Sequence, residues 1–194
     1  MINLIPMAGE GKRFKDAGYK IPKPLILVSG KPMVIIAAES LPRPDKWIFI
    51  CREEYIDGYN IDKILRDNFK NVSIIIDLFP AGQASTCLLA KDLINNDEEL
   101  IIGACDNGMI WNKDEFEKLR KEADCLVWTF RNNIAVKKKP QAYGWAVVDD
   151  KNNVLKTSVK IPISDNPIND HAIVGAFWFK KGKIFVEAAE NMIR

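Results

Sequence analysis

A short segment near the start of the chain, residues 7–25, combines glycines with cationic side chains: MAGEGKRFKDAGYKIPKPL. Glycine adopts positive φ angles without steric cost, so Gly9 and Gly11 allow successive backbone N–H groups to point toward one centre. Converging amides bind anions, and Lys12 and Arg13 would add positive charge beside them. The segment therefore predicts a phosphate site. For the glycine pair alone, an ordinary turn between a strand and a helix is an equally good interpretation.

Two common phosphate motifs do not account for this segment. The dinucleotide fingerprint needs a third glycine where Phe14 stands, and a P-loop needs Ser or Thr directly after its lysine, where Arg13 follows Lys12. The Pro-Lys-Pro sequence around Lys23 stiffens the backbone and lowers the entropic cost of holding this lysine in place. Lys23 is thus a candidate phosphate ligand, although a surface lysine in an ordinary turn fits the same residues.

Asp106 follows the apolar run ELIIGAC, which is typical of a buried strand. Ligands of open α/β sheets bind beyond the carboxyl ends of the strands, where this carboxylate would face a bound phosphate group. A carboxylate repels phosphate unless a hard cation lies between them, and Mg²⁺ with phosphate and water ligands meets that need. On spacing alone, a turn in which Asp106 caps Asn107 and Gly108 is the better interpretation.

Gln83 lies in the stretch PAGQAST, directly after a glycine and at the start of a predicted helix. Its amide both donates and accepts hydrogen bonds, which suits recognition of the edge of a base. A solvated side chain at the same helix end is equally consistent with the sequence.

Apolar runs alternate with amphipathic stretches along the chain, which is typical of strands separated by crossover helices. We predict strands in INLIPMA, KWIFICR, VSIIID, ELIIGAC, DCLVWTFR and HAIVGAFWFK, and helices in KPMVIIAAESL, YNIDKILRDNFK, AGQASTCLLAKDLI, NKDEFEKLRKEA and KIFVEAAENMIR. GWAVVDDKNNVLKTSVK alternates around a polar turn and predicts an antiparallel hairpin. These elements predict an α/β fold with a mostly parallel, mixed sheet flanked by helices.

Composition narrows the class of protein. The net charge of +2, with 28% charged residues, lacks the basic field of a nucleic-acid binder. No apolar run reaches the roughly 18 to 20 residues of a membrane span, and the start of the chain does not have the pattern of a secretory signal. Four scattered cysteines and one histidine argue against zinc sites and Cys-His nucleophiles. We expect a cytoplasmic protein that binds neither nucleic acid nor membrane.

Two motifs carry a resemblance to a known family. AGEGKRF followed by PKPL resembles the signature of the sugar-1-phosphate nucleotidylyltransferases. IFICREE, PISD and GAFWFKKGKIFVEAAENMI are similar to the branch found in capsule and surface-polysaccharide biosynthesis. The resemblance implies the Rossmann-like fold of the nucleotide-diphospho-sugar transferases in one domain, residues 1–194. The second metal-binding aspartate of relatives lies beyond the segment that ends this chain, so we expect the domain to lack its C-terminal portion.

The same resemblance implies roles for particular residues. It makes Arg13 and Lys23 catalytic and Asp106 a ligand of Mg²⁺, which reverses the preference for a capped turn. The nucleotide-binding set is Ala8, Gly9, Glu10, Gly11, Lys12, Arg13, Gln83 and Asp106, and the acceptor-binding set is Tyr143, Gly144 and Lys160. Val159 stands where relatives carry a glutamate that holds sugar hydroxyls, so the sequence leaves the identity of the acceptor open.

The predicted reaction joins an NTP to a sugar 1-phosphate or related phosphomonoester and releases pyrophosphate. An alternative is a non-catalytic module of the same fold that binds a nucleotide or sugar nucleotide. A glycosyltransferase ranks last, because the chain has no D-x-D motif. The sequence does not decide whether the protein forms a homo-oligomer.

Overall fold

The computed structural model describes residues 1–193. The strands are β1 Ile2–Pro6, β2 Leu27–Val28, β3 Lys31–Pro32, β4 Lys46–Cys51, β5 Val72–Ile76, β6 Leu100–Ile102, β7 Cys125–Phe130, β8 Gly144–Val148, β9 Val154–Val159 and β10 His171–Phe179. The helices are α1 Lys12–Asp16, α2 Met33–Glu39, α3 Glu53–Tyr59, α4 Ile61–Asn68, α5 Gln83–Leu88, α6 Lys91–Ile94, α7 Lys113–Glu122, α8 Ala135–Lys138 and α9 Gly182–Ile193. Short 3₁₀ turns occupy Lys23–Leu25 and Pro140–Ala142.

The described residues form two compact units, residues 1–126 with 177–193 and residues 127–176. The first unit contains the parallel strands β5, β4, β1 and β6, paired in that order. β1, β4 and β6 are almost entirely buried, as is typical of parallel strands covered on both faces, whereas β5 at the edge of the sheet is only partly buried. The end of β10, Phe177–Phe179, pairs antiparallel with β6.

The core of the first unit explains why these strands are so apolar. Ile2, Leu4, Ile48 and Ile50 are almost completely buried, and α9 contributes Phe185, Val186 and Ala189 to the same cluster. A fully buried side chain of this kind stabilises the fold by about 1.5–3 kcal/mol relative to an exposed one. The parallel strands end at Pro6, Cys51, Ile76 and Ile102, so the loops that follow them begin at one edge of the sheet.

The second unit contains the antiparallel hairpin of β8 and β9, in which Gly144 pairs with Val159. Asp149 organises the connecting turn, because its carboxylate accepts hydrogen bonds from the amides of Lys151 and Asn153. A small core of Val136, Trp145 and Ala172 lies in this unit. The pairings confirm the predicted α/β class with a mixed, mostly parallel sheet.

Several short elements differ from the sequence prediction. The sequence analysis placed no helix at α1, α3 or α8, and the single predicted helix over AGQASTCLLAKDLI consists of α5 and α6. Between those two helices the amide of Leu89 bonds to the carbonyl of Thr86, an i to i−3 bond that tightens the chain and interrupts the α-helical pattern. In residues 1–193, no helix has the length and apolar character that crossing a bilayer requires.

Gly182, at the start of α9, provides a test of how α9 packs in the core of the first unit. A Cβ added there would lie 1.9 Å from the carbonyl oxygen of Ile94, a backbone atom that cannot move aside cheaply. We expect Gly182→Ala to lower the free energy of unfolding by about 1–3 kcal/mol or more, measured by urea denaturation. Gly58→Ala in α3 is the matched control, because a Cβ there meets no atom within 4 Å. The control should gain up to about 1 kcal/mol, and equal stability of the two variants would contradict the packing of α9.

Candidate functional site

A cavity of about 510 Å³ lies in the first unit, where the loops after β1, β5 and β6 meet. Parallel strands bring these loops to one edge although they are far apart in sequence. The cavity is lined by every residue predicted to bind nucleotide, together with Lys23: Ala8, Gly9, Glu10, Gly11, Lys12, Arg13, Lys23, Gln83 and Asp106.

The backbone of residues 9–13 offers unused hydrogen-bond donors at this cavity. In the part of the chain that the structure describes, no protein group accepts a hydrogen bond from any of these amides. Gly11 has a φ of 62°, and a Cβ on it would lie 3.3 Å from Cβ of Lys23. Glycine is therefore favoured at position 11 both by the left-handed conformation and by the close approach of Lys23.

Lys23 and Asp106 form an ion pair across the cavity. Pro22 precedes the 3₁₀ turn that begins at Lys23, so the turn fixes the lysine backbone. The side chains of Lys23 and Asp106 are only 18% and 29% exposed, and each offsets the other's loss of hydration. The Lys23 ammonium also lies 5.5 Å from the centroid of the Phe14 ring, a favourable cation–π distance.

The residues at the cavity fit Mg²⁺ only as an ion that takes a single carboxylate from the protein. Asp106 supplies a carboxylate at the cavity, and within residues 1–193 no three His, Cys, Asp or Glu side chains are grouped to hold a metal ion. Mg²⁺ commonly takes one or two protein carboxylates and completes its shell with phosphate oxygens and water. An ion held by Asp106 would thus depend on the bound phosphates, and Asp106 would exchange Lys23 for the metal.

The loop that leads to Gln83 is held by a buried carboxylate that the sequence analysis did not single out. Asp77 is 5% exposed and accepts hydrogen bonds from the Thr86 hydroxyl at 2.7 Å and from the Phe79 amide at 3.0 Å. Gly82 enters α5 with a φ of 127°, which other residues rarely adopt. The sequence signal for this arrangement is an Asp directly after a strand with a Thr nine residues later.

Cys105 also lines the cavity, directly before Asp106. Burial of the thiol, and secondarily the nearby Asp106 carboxylate, raise the pKa of Cys105 to about 12. Both effects disfavour the thiolate, which is the nucleophilic form of cysteine.

The predicted acceptor-binding residues belong to the second unit, where they are neighbours. The amide of Lys160 donates to the carbonyl of Tyr143 at 3.0 Å, and Lys160 has a φ of 62°. The Tyr143 ring contacts Phe130 and Trp145 edge-on, with centroids 5.7 and 6.1 Å apart. Gly144 begins β8. Tyr143 thus packs against the small core of this unit.

Residues 2–192 match the Nucleotidyl transferase family, to which the chain therefore belongs. It is 32% identical over 187 residues to the "Bifunctional protein GlmU" of Methanocaldococcus jannaschii, which covers 94% of this chain and 40% of that relative. The chain thus spans less than half the length of this relative.

Two solved structures have the same fold. The nucleoside-diphosphate-sugar pyrophosphorylase from Vibrio cholerae is similar with a TM-score of 0.78 at 21% identity, over 100% of this chain and 78% of that one. The inositol-1-phosphate CTP transferase from T. maritima is similar with a TM-score of 0.74 at 16% identity, over 95% and 72%. At these identities the likeness concerns the fold alone, and it confirms the predicted fold class.

The raised pKa of Cys105 can be tested by alkylation of its thiol. At about pH 8 the native thiol should react with iodoacetamide more slowly than a free thiol, because its raised pKa disfavours the thiolate that attacks the reagent. Mass spectrometry of the digested protein would locate the modified cysteines. The urea-unfolded protein is the control, in which Cys105 should react like any free thiol. Alkylation of native Cys105 as rapid as in the unfolded protein would contradict the raised pKa of this thiol.

Proposed function

We propose that the protein condenses an NTP with a sugar 1-phosphate or a related phosphomonoester, giving a nucleotide-activated compound and pyrophosphate. The observation that carries the proposal is the cavity in which the unbonded amides of residues 9–13 lie beside Arg13, Lys23 and Asp106. Several donors and cations concentrated at one hollow suit a ligand with several adjacent negative charges, such as a triphosphate. Membership of the family supports the same class of reaction.

The reaction requires alignment more than acid–base chemistry. A phosphate oxygen of the acceptor forms a bond to the α-phosphorus of the NTP, and the bond from that phosphorus to the bridging oxygen breaks, so that pyrophosphate leaves with the electron pair. A phosphomonoester with a second pKa near 6 is already largely dianionic at neutral pH and needs no protein base. The protein therefore has to orient two anions and reduce their repulsion.

We assign the residues as follows. The amides of residues 9–13 bind the β- and γ-phosphates, Arg13 stabilises the departing pyrophosphate, and Lys23 neutralises charge at the α-phosphate. Asp106 would hold Mg²⁺, which supplies positive charge to the phosphate oxygens when bound. The loop fixed by Asp77 presents Gln83 to the base.

The acceptor is assigned on the sequence resemblance. Tyr143, Gly144 and Lys160 are proposed to bind it, with Lys160 contacting its phosphate. Val159 replaces a glutamate that would hold sugar hydroxyls, which favours an acceptor other than an ordinary hexose phosphate. The resemblance of IFICREE and PISD to the capsule branch supports a product used in surface-polysaccharide synthesis.

Substitution of the two cations tests the assigned roles. Arg13→Ala and Lys23→Ala should each lower turnover by about 10²–10³-fold, as is typical when one donor to a developing charge is removed. Pyrophosphate release under saturating substrates measures the loss, and circular dichroism checks the fold. Lys31→Ala is the matched control, because Lys31 is 57% exposed and pairs with Glu39 away from the cavity. Normal pyrophosphate release by both cavity variants would overturn the roles.

A substrate panel separates the enzyme from a binding module. CTP, UTP, dTTP and GTP are ranked by thermal shift, since a ligand that binds only the folded state raises its stability. The nucleotide that stabilises the protein is then tested for pyrophosphate release with sugar phosphates, phosphocholine and related phosphomonoesters. We expect one nucleotide and one acceptor to give turnover. Stabilisation by a nucleotide without turnover across the panel would instead identify a non-catalytic nucleotide-binding module.

A further inference from the structure

Helix α3 presents two tyrosines on one side, and both hold the segment that carries the unbonded amides. The hydroxyl of Tyr55 donates to the carbonyl of Gly9 at 3.1 Å, and the hydroxyl of Tyr59 donates to the carbonyl of Lys20 at 3.1 Å. Residues four apart in a helix lie on the same face, so one helix reaches both ends of the segment. In residues 1–193, these are the hydrogen bonds that join α3 to residues 9–20.

A second cavity, of about 300 Å³, lies between α3 and this segment. Its walls include Phe14, Tyr19 and Lys20 on the segment and Glu54, Tyr55 and Tyr59 on α3. Side chains therefore do not fill the space behind the segment, and apolar packing supports it only in part. The hydroxyls of Tyr55 and Tyr59 bond to the segment on either side of this cavity. The position of the segment therefore depends on these two hydrogen bonds.

Peptide geometry connects the Tyr55 bond to the first cavity. The C=O and N–H groups of a trans peptide point in opposite directions. The carbonyl of Gly9 points toward Tyr55, which lines the second cavity and is not among the residues of the first. The N–H of Glu10, on the same peptide plane, must point away from Tyr55. A single hydrogen bond on one side of the segment thus orients an amide donor on the other.

Tyr55 is suited to this task because it cannot easily release its proton. The residue is 2% exposed, and burial raises the pKa of Tyr55 to about 12. Its hydroxyl therefore remains a hydrogen-bond donor over the whole physiological pH range. Tyr59 is 37% exposed and holds the far end of the segment from the surface.

We propose that Tyr55 and Tyr59 are positioning residues that hold residues 9–13 in the conformation that binds the triphosphate. The inference rests on the proposed function, because it concerns the same phosphate-binding amides. Neither tyrosine lines the first cavity, so both act through the segment rather than on the substrate.

The test replaces one hydroxyl at a time. Tyr55→Phe should weaken the binding of inorganic tripolyphosphate by about three- to tenfold, the usual effect of losing one hydrogen bond. Isothermal titration calorimetry measures this dissociation constant. In steady-state assays the KM for the NTP should rise in proportion, whereas the KM for the phosphomonoester should not change.

Tyr19→Phe is the matched control. Tyr19 lines the same second cavity and is 48% exposed, and its hydroxyl bonds to no group within the described residues. The control should bind tripolyphosphate as the unmodified protein does. Equal binding by Tyr55→Phe and the control would overturn the proposal. If Tyr55→Phe does not fold, Tyr59→Phe decides in the same way, since its side chain is partly exposed.

The outcome for the unmodified protein separates this inference from the proposed function. Absence of binding of both tripolyphosphate and the four NTPs would overturn the proposed function and the positioning role together. Normal binding by the unmodified protein with unchanged binding by the tyrosine variants would overturn only the positioning role. If the tyrosine variants are less stable in urea but bind tripolyphosphate with unchanged affinity, the two tyrosines have a structural role alone.

Discussion

The ion pair between Lys23 and Asp106 joins two loops that are 83 residues apart in sequence. It forms because β1 and β6 are parallel neighbours, so that the loops after them start at the same edge of the sheet. Both side chains are largely removed from water, and each would be costly to bury without the other. The conformation of Gly11 and the path of the Pro-Lys-Pro turn serve the same contact, since the stem of Lys23 lies against the backbone of Gly11. The cavity is organised around this pair.

The long elements of the first unit could be predicted from the sequence because burial determines their composition. The runs that form β1, β4 and β6 are largely apolar without alternation, which is typical of strands covered on both faces. Helix α3 was not predicted, because EEYIDGY is short, contains a glycine and runs on into the stronger amphipathic pattern of α4. The division falls at Asn60, whose φ of 50° ends one helix and precedes the next. Acidic residues in the first turn of α3 were the available signal.

The candidate site likewise contains residues that could be predicted from the sequence and residues that could not. Residue types and local context singled out the glycine segment, Lys23, Gln83 and Asp106, and the resemblance to the family supplied the complete set with its roles. The structure places all of these residues around one cavity. The supports of the site are harder to choose. The Tyr55 hydroxyl reaches a carbonyl 46 residues away, whereas the bond between Asp77 and Thr86 spans nine residues and leaves only a weak local signal. No local pattern distinguishes such a tyrosine from one that only fills space.

The place of Asp106 in the chain has a consequence for synthesis on the ribosome. β6 follows β1 by almost a hundred residues, and it inserts beside β1 through a parallel pairing of large sequence separation. Pairings of this kind form late, since the entropy of closing a long loop must first be overcome. A nascent chain that has not yet reached Asp106 possesses the glycine segment but lacks the opposite wall of the hollow. The cavity therefore has its opposite wall only once β6 has paired with β1, so the glycine segment cannot form a complete hollow before the central sheet is assembled.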